Sequence, residues 1–223
     1  MEQEIYLIRL NAIERKGSGK TMEKVYVFLA DGFEEIEGLT VVDILRRAGV
    51  CVETVSVMGR KEITGSHRIQ VEADKIFEET CFEDGTLFVL PGGMPGTKHL
   101  GAHAGLCELL KKADAQGKRI AAICAAPSVL GSLGLLEGKH ASCYPGFEEC
   151  LRGAQVEFDP VVTDGTITTS RGMGTAIPFA LSLAAQLTEE KKAEELAKGI
   201  IYKSKKLAFS GLLCYTIKMT AYR

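Results

Sequence analysis

No Cys-x-x-Cys pair occurs in the chain, although it holds seven cysteines: Cys51, Cys81, Cys107, Cys124, Cys143, Cys150 and Cys214. The missing spacing argues against a structural zinc ribbon, and the odd number argues against a disulfide framework. For most of them the expected role is a small buried hydrophobe in a reducing compartment. An excess of basic charge is also lacking. The formal net charge is −2, so the electrostatic footprint of a dedicated nucleic-acid binder is missing. No apolar run approaches the roughly 20 residues of a spanning helix. The mixed-charge opening Met1–Leu10 does not have the pattern of a secretory signal. No membrane partner is expected, and the expected location is the cytoplasm. Internal repeats and low-complexity segments are absent as well.

What is present is an ordinary globular balance, 46% hydrophobic and 25% charged over 223 residues, enough for one domain with a sizeable core. Three zones follow one another. Residues 1–22 read as an N-terminal extension outside the core, with Arg15–Lys20 resembling a linker. Residues 23–202 alternate strand-like and helix-like segments. Residues 203–223 are basic around a short apolar patch, Leu207–Tyr215, and carry no structural assignment.

In the middle zone Val25–Ala30 reads as a buried strand before Asp31-Gly32. Ile36, Leu39, Val42, Ile44, Leu45 and Ala48 recur at helical spacing up to Gly49. Cys51–Met58, Leu87–Leu90 and Arg119–Ile123 read as further strands, and Leu106–Gln116 as a helix. Pro127 suits the first turn of the next helix. Val156–Thr169 reads as a hairpin with its turn at Asp164-Gly165. Two helices are expected over Thr175–Gln186 and Glu189–Ile201. Such alternation predicts an α/β fold: a mostly parallel sheet with helices on both faces. Ligands then collect beyond the carboxyl ends of the strands.

Three segments at such ends carry chemistry. In Ile120–Pro127 a cysteine, Cys124, stands between a buried strand and a helix, among residues small enough for a sharp turn. Free N–H groups at the helix start favour a thiolate. Cys124 is therefore either a nucleophile or a buried cysteine that ends a strand. Pro91-Gly92-Gly93 follows another strand. It is either an ordinary turn or a backbone that approaches a ligand and offers N–H groups to an oxyanion. In Asp31–Glu37, Glu34 and Glu35 suit the helix dipole as solvated charges. Glu37 either does the same or points back toward Cys124.

The segments Glu34–Glu37, Asp43–Gly49, Leu90–Gly93, Ala121–Pro127 and Thr169–Thr175 stand in the order and spacing of the DJ-1 branch of the DJ-1/ThiJ/PfpI superfamily, which the chain resembles over residues 23–202. The resemblance implies a three-layer flavodoxin-like sandwich and a homodimer. It makes Cys124 the reactive nucleophile, Glu37 the carboxyl group touching it, and Gly93 and Ala125 the oxyanion donors. Gly92, Tyr144 and Cys143 are the possible pocket residues. The implied function is a cofactor-free glyoxalase or deglycase acting on a small carbonyl substrate, a 2-oxoaldehyde or its adducts. The alternative is a non-enzymatic oxidative-stress sensor or chaperone using the same thiol.

An ionised Glu37 would repel a Cys124 thiolate. The expectation is therefore a shared proton, with the carboxyl raised and the thiol lowered as a coupled pair. Tyr144 stands where some relatives carry a histidine, which argues against a Cys–His dyad in this chain. Ala125 stands where PfpI-type proteases carry histidine, which argues against a protease. No His-x-Glu pair of an amidotransferase occurs. His99 and His103 have the spacing of a helical metal pair, but no third ligand is evident. No metal or cofactor is expected. Arg47 reads as a solvated or dimer-edge charge.

Overall fold

The computed structural model describes residues 23–203. The extension expected over 1–22, and all but the first residue of that expected over 203–223, lie outside the described residues. Strand β1 (Lys24–Leu29) is built from β-branched and aromatic residues and buries every side chain after the first, as a central strand requires. Helix α1 (Glu35–Arg47) follows and stops at Ala48, with Gly49 in the left-handed region at φ 75°. Then come β2 (Cys51–Ser56), the short strands β3 (Glu62–Thr64) and β4 (Gln70–Glu72), β5 (Lys75–Ile76) and β6 (Leu87–Leu90). Helices α2 (Gly96–Ala102) and α3 (Ala104–Ala115) lead to β7 (Arg119–Ile123) and α4 (Pro127–Ser132). Strands β8 (His140–Ala141), β9 (Gln155–Val156), β10 (Val161–Asp164) and β11 (Ile167–Ser170) precede helices α5 (Ala176–Leu187) and α6 (Glu190–Gly199).

Seven strands form one sheet in the order β10-β11-β7-β6-β1-β2-β5. All its pairs are parallel except β10 with β11. The strand alternation divides the core. Val25, Val27 and Leu29 face the layer of α1, α5 and α6, where Val41, Leu45, Phe179 and Leu183 pack. Tyr26, Phe28 and Phe88 face the layer of α2, α3 and α4 with Leu100, Leu106 and Leu130. The α/β sandwich is thus as expected. Among the described residues no helix is long and apolar enough to cross a membrane.

The hairpin is corrected. Its turn falls at Asp164-Gly165, but the first arm is Val161–Asp164, and Val156 pairs instead through β9 with β8. Pro160 has no N–H for a ladder bond, so the arm stops there. The β3–β4 hairpin and α2 add elements that their short, weakly periodic sequences did not announce.

Candidate functional site

The chain runs from β1 outward to β2 and β5, then returns to β6 on the other side of β1. The carboxyl ends of β1 and β6 therefore bracket a topological switch point, where open α/β sheets form their crevice. Beside them ends β7, and the next residue is Cys124. Its φ is 65°, a strained value for a residue with a side chain. Two backbone bonds hold it there: its N–H donates to Ser170 O at 3.0 Å, and its carbonyl accepts the Tyr144 N–H at 2.8 Å. Buried Ala125 and Ala126 follow, small enough for the chain to turn directly into α4 at Pro127.

Glu37 comes to the same point from the first turn of α1, with only 1% of its surface exposed. Its Oε2 accepts the Gly92 N–H at 2.9 Å, while the Gly92 carbonyl accepts the Glu34 N–H at 2.9 Å. Gly92 thus ties the end of β6 to the start of α1. A methyl group on Gly92 would stand 2.6 Å from Cys124 Cβ, 2.7 Å from Glu37 Oε2 and 2.9 Å from Ile123 O. Only glycine fits where the two side chains meet. Gly93, at φ 93°, fits equally tightly against Gly32 O and the Phe33 backbone. The Gly93 and Ala125 N–H groups both act on the Cys124 sulfur.

The electrostatics follow from this crowding. Burial pushes Glu37 up to about 7, opposed by its hydrogen bonds with Cys124 and Gly92 and reinforced by the Glu34 charge. Burial also pushes the Cys124 thiol up to about 12, and the Glu37 carboxylate beside it adds to the rise. The Ala125 and Gly93 N–H groups pull the other way. The raised carboxyl is as expected, but the expected lowering of the thiol is not what these surroundings produce. Desolvation penalises a thiolate as it does a carboxylate, and two buried anions in contact repel. The pair therefore parts with one proton around 7 and retains the other until far above neutrality.

Tyr144 is half exposed at the rim, with its ring over Gly172. A methyl group on Gly172 would lie 3.2 Å from Tyr144 Cδ2 and 3.8 Å from Glu37 Oε1. Gly172 therefore forms the wall between them. Gly172 lies in the resembling segment Thr169–Thr175 but is not among the expected pocket residues. Cys143 is buried in the core of the α2–α4 layer, where burial pushes its thiol up to about 11.

The two histidines do not share a helical face. His99 lies in α2 with Nδ1 3.0 Å from Asp31 O, while His103 caps α3 by accepting the Leu106 N–H at 3.0 Å. Arg47 is exposed and paired with Asp43 at 2.7 Å.

Glu35 is corrected too: it is buried rather than solvated, 4% exposed. Burial favours its neutral form, but hydrogen bonds from His67, the backbone and Ser66 outweigh it and hold the carboxyl at about 2. Glu34, Glu35 and His67 place three potential metal-ligating atoms within 4.8 Å of one another. Ser66 Oγ lies 3.1 Å from both carboxylates and His67 Nδ1 lies 3.0 Å from Glu35. The cluster thus clasps the turn between β3 and β4 to the start of α1.

Residues 23–186 match the profile of the DJ-1/PfpI family. Protein dj-1beta of Drosophila melanogaster is 37% identical over 177 residues, covering 78% of this chain and 95% of that protein. A Pyrococcus abyssi protein named a deglycase is 35% identical over 154 residues, covering 68% of this chain and 91% of its own length. Among solved structures, that of oxidized Toxoplasma gondii DJ-1 superposes with a TM-score of 0.79 at 38% identity, covering 82% of this chain and all of its own.

Proposed function

The chain belongs to the DJ-1/PfpI family, and from that premise we propose that it is a cysteine-dependent, cofactor-free glyoxalase or deglycase acting on 2-oxoaldehydes or their adducts. The observation that carries this reading is the meeting of Cys124 with a buried carboxyl group that retains its proton up to about 7. The Pyrococcus abyssi relative, named a deglycase, supports carbonyl chemistry on this fold.

In the proposed reaction the pair has already lost one proton and holds the other on Glu37. The Cys124 thiolate attacks the aldehyde carbon C1, and Glu37 gives its proton to the aldehyde oxygen, forming a hemithioacetal. The N–H groups of Gly93 and Ala125 stabilise negative charge as it develops on that oxygen. Glu37, now a carboxylate, removes the proton from C1, and the C2 carbonyl oxygen takes up the electron pair. The hydroxyl proton passes from the C1 oxygen to the C2 oxygen, so that the intermediate is an enediolate. The same group returns that proton to C2, leaving a 2-hydroxyacyl thioester. Water cleaves the thioester, its oxygen going to the acyl carbon and a proton to the sulfur. This releases the hydroxy acid and leaves the pair with the single shared proton it began with. The sum is addition of one water to the oxoaldehyde. Burial of Glu37 suits this work, because a carboxyl poised around 7 both gives and takes a proton at neutral pH.

Methylglyoxal consumption without glutathione, with lactate detected directly, tests the assignment. Cys124→Ser is expected to reduce lactate formation to background. Glu37→Gln is expected to lower the rate by about 10²- to 10⁴-fold, the span of a positioned acid–base group. Lactate formation at the wild-type rate in either variant would falsify the role of the residue replaced.

A second reading uses the same thiol as an oxidative-stress sensor or chaperone. The half-open position of Cys124 favours it, as does the oxidized state of the Toxoplasma gondii DJ-1 structure. The two readings part at Glu37→Gln, which under the first lowers turnover by about 10²- to 10⁴-fold and leaves Cys124 oxidisable. We also propose a homodimer, which the exposed Ile36 and Leu39 on α1 support.

A further inference from the structure

The wall beside Glu37 is held by two hydroxyl groups outside the reacting pair. Ser170 ends β11, is fully buried, and donates its hydroxyl to Pro160 O at 2.6 Å. The same Ser170 Oγ lies 2.7 Å from Thr175 Oγ1. Thr175 Oγ1 accepts the Gly172 N–H at 3.0 Å and stands 2.8 Å from the Gly172 carbonyl oxygen. The chain of contacts therefore runs from Pro160 through Ser170 and Thr175 to both backbone groups of Gly172. Ser170 also supplies the carbonyl that accepts the N–H of Cys124.

The two ends of this network reach the two members of the pair. One end pins the backbone of Cys124 in its left-handed conformation. The other presses Gly172 against Tyr144 and toward Glu37 Oε1. We infer that Ser170 and Thr175 form a hydroxyl clasp that positions Gly172 against Glu37 and keeps water from the carboxyl group with which Cys124 reacts. The inference rests on the assignment of Cys124 and Glu37 as the reacting pair, and both hydroxyl residues are positioning residues.

The consequence concerns the proton held by the pair. Burial is the largest influence on Glu37, and the titratable groups acting on it are Cys124 beyond β7 and Glu34 at the start of its own helix. Gly92 beyond β6 adds an N–H, and the Tyr144–Gly172 side closes the rest. Loosening Gly172 admits water and favours the carboxylate. Adding a methyl group at Gly172 excludes more water and favours the acid. Gly172 has φ 161° and ψ −168°, an extended backbone that alanine adopts.

The test is the pH dependence of Cys124 alkylation by iodoacetamide, located by peptide mass spectrometry, together with lactate formation from methylglyoxal. In Thr175→Val the alkylation step near 7 is expected to move to lower pH. Lactate formation is expected to fall by about 10- to 100-fold, as small displacements in an active site cause. Thr175→Ser, which keeps the hydroxyl, restores both. In Gly172→Ala the step moves to higher pH.

Wild-type alkylation profiles in both Thr175→Val and Gly172→Ala overturn the clasp, whatever happens to lactate. Should Thr175→Val lose its fold by circular dichroism, Gly172→Ala decides alone, and an unmoved step overturns the inference. Opposite shifts in the two variants without lactate from the wild type uphold the clasp and remove the glyoxalase reading.

Discussion

Cys124 and Glu37 are one acid–base unit. Each is driven up by burial; the Glu37 carboxylate opposes ionisation of Cys124, whereas the Cys124 thiol, by its hydrogen bond, eases ionisation of Glu37. A thiol with a single value near 12 would be inert at neutral pH, but a coupled pair has a second route. When the first proton leaves around 7, the remaining proton is shared, and part of the population holds it on Glu37 and leaves the sulfur as thiolate. Alkylation of Cys124 by iodoacetamide is therefore expected to rise in two steps, the first around pH 7 and the second far above neutrality. Glu37→Gln leaves a single step. A single step in the wild type, with no rise between pH 6 and 8, would show that the two groups titrate independently.

At the scale of the element, the pair exists because three strand ends converge and one glycine leaves room between them. Gly92→Ala would press a methyl group onto Cys124 Cβ and Glu37 Oε2 at once. Neither neighbour can yield. Cys124 is pinned by two backbone bonds, and Glu37 is itself buried in the first turn of α1. The substitution is expected to cost about 1–3 kcal/mol of stability as overpacking and, on the proposed activity, to abolish lactate formation. Denaturant titration and the lactate assay read the two effects separately. The strands Leu87–Leu90 and Arg119–Ile123 were legible in the sequence because short apolar runs ended at Pro91 and at Cys124. The β3–β4 hairpin was not, since three-residue strands show too little periodicity. Its Ser66-His67 turn, which neutralises the surroundings of Glu35, was hidden with it.

For the whole molecule, the raised Glu37 makes stability depend on pH with a definite sign. Its folded value lies above the ordinary carboxyl value, from 4.5 to about 7, so between these the native state holds more proton than the unfolded state. The contribution is fully present below pH 4.5, declines as pH rises through 7, and is flat above. The decline amounts to about 3 kcal/mol for a group so deeply buried. Glu35 has the opposite sign: its depressed value confers stability that is lost only as pH falls toward 2. Urea unfolding between pH 4.5 and 8 isolates the first effect as the difference between the wild type and Glu37→Gln. A difference that does not change across this range would mean that Glu37 is ionised in the folded protein throughout.

The sequence by itself determined the layered α/β architecture, because alternation of period two and period 3.6 dictates which faces must be buried. It also marked Cys124 and Gly92-Gly93 as residues at strand ends, since small residues and glycines are needed wherever a chain turns sharply. Tertiary structure alone decided the proton balance, because desolvation depends on what closes over a group. Glu35 and Glu37 stand two residues apart on one helix, yet one is held at about 2 and the other pushed to about 7. Glu35 meets the donors of Ser66 and His67, while Glu37 meets Cys124, Gly92 and the apolar wall at Gly172. Those partners come from segments 30 to more than 130 positions away, and no local pattern specifies which carboxylate they reach.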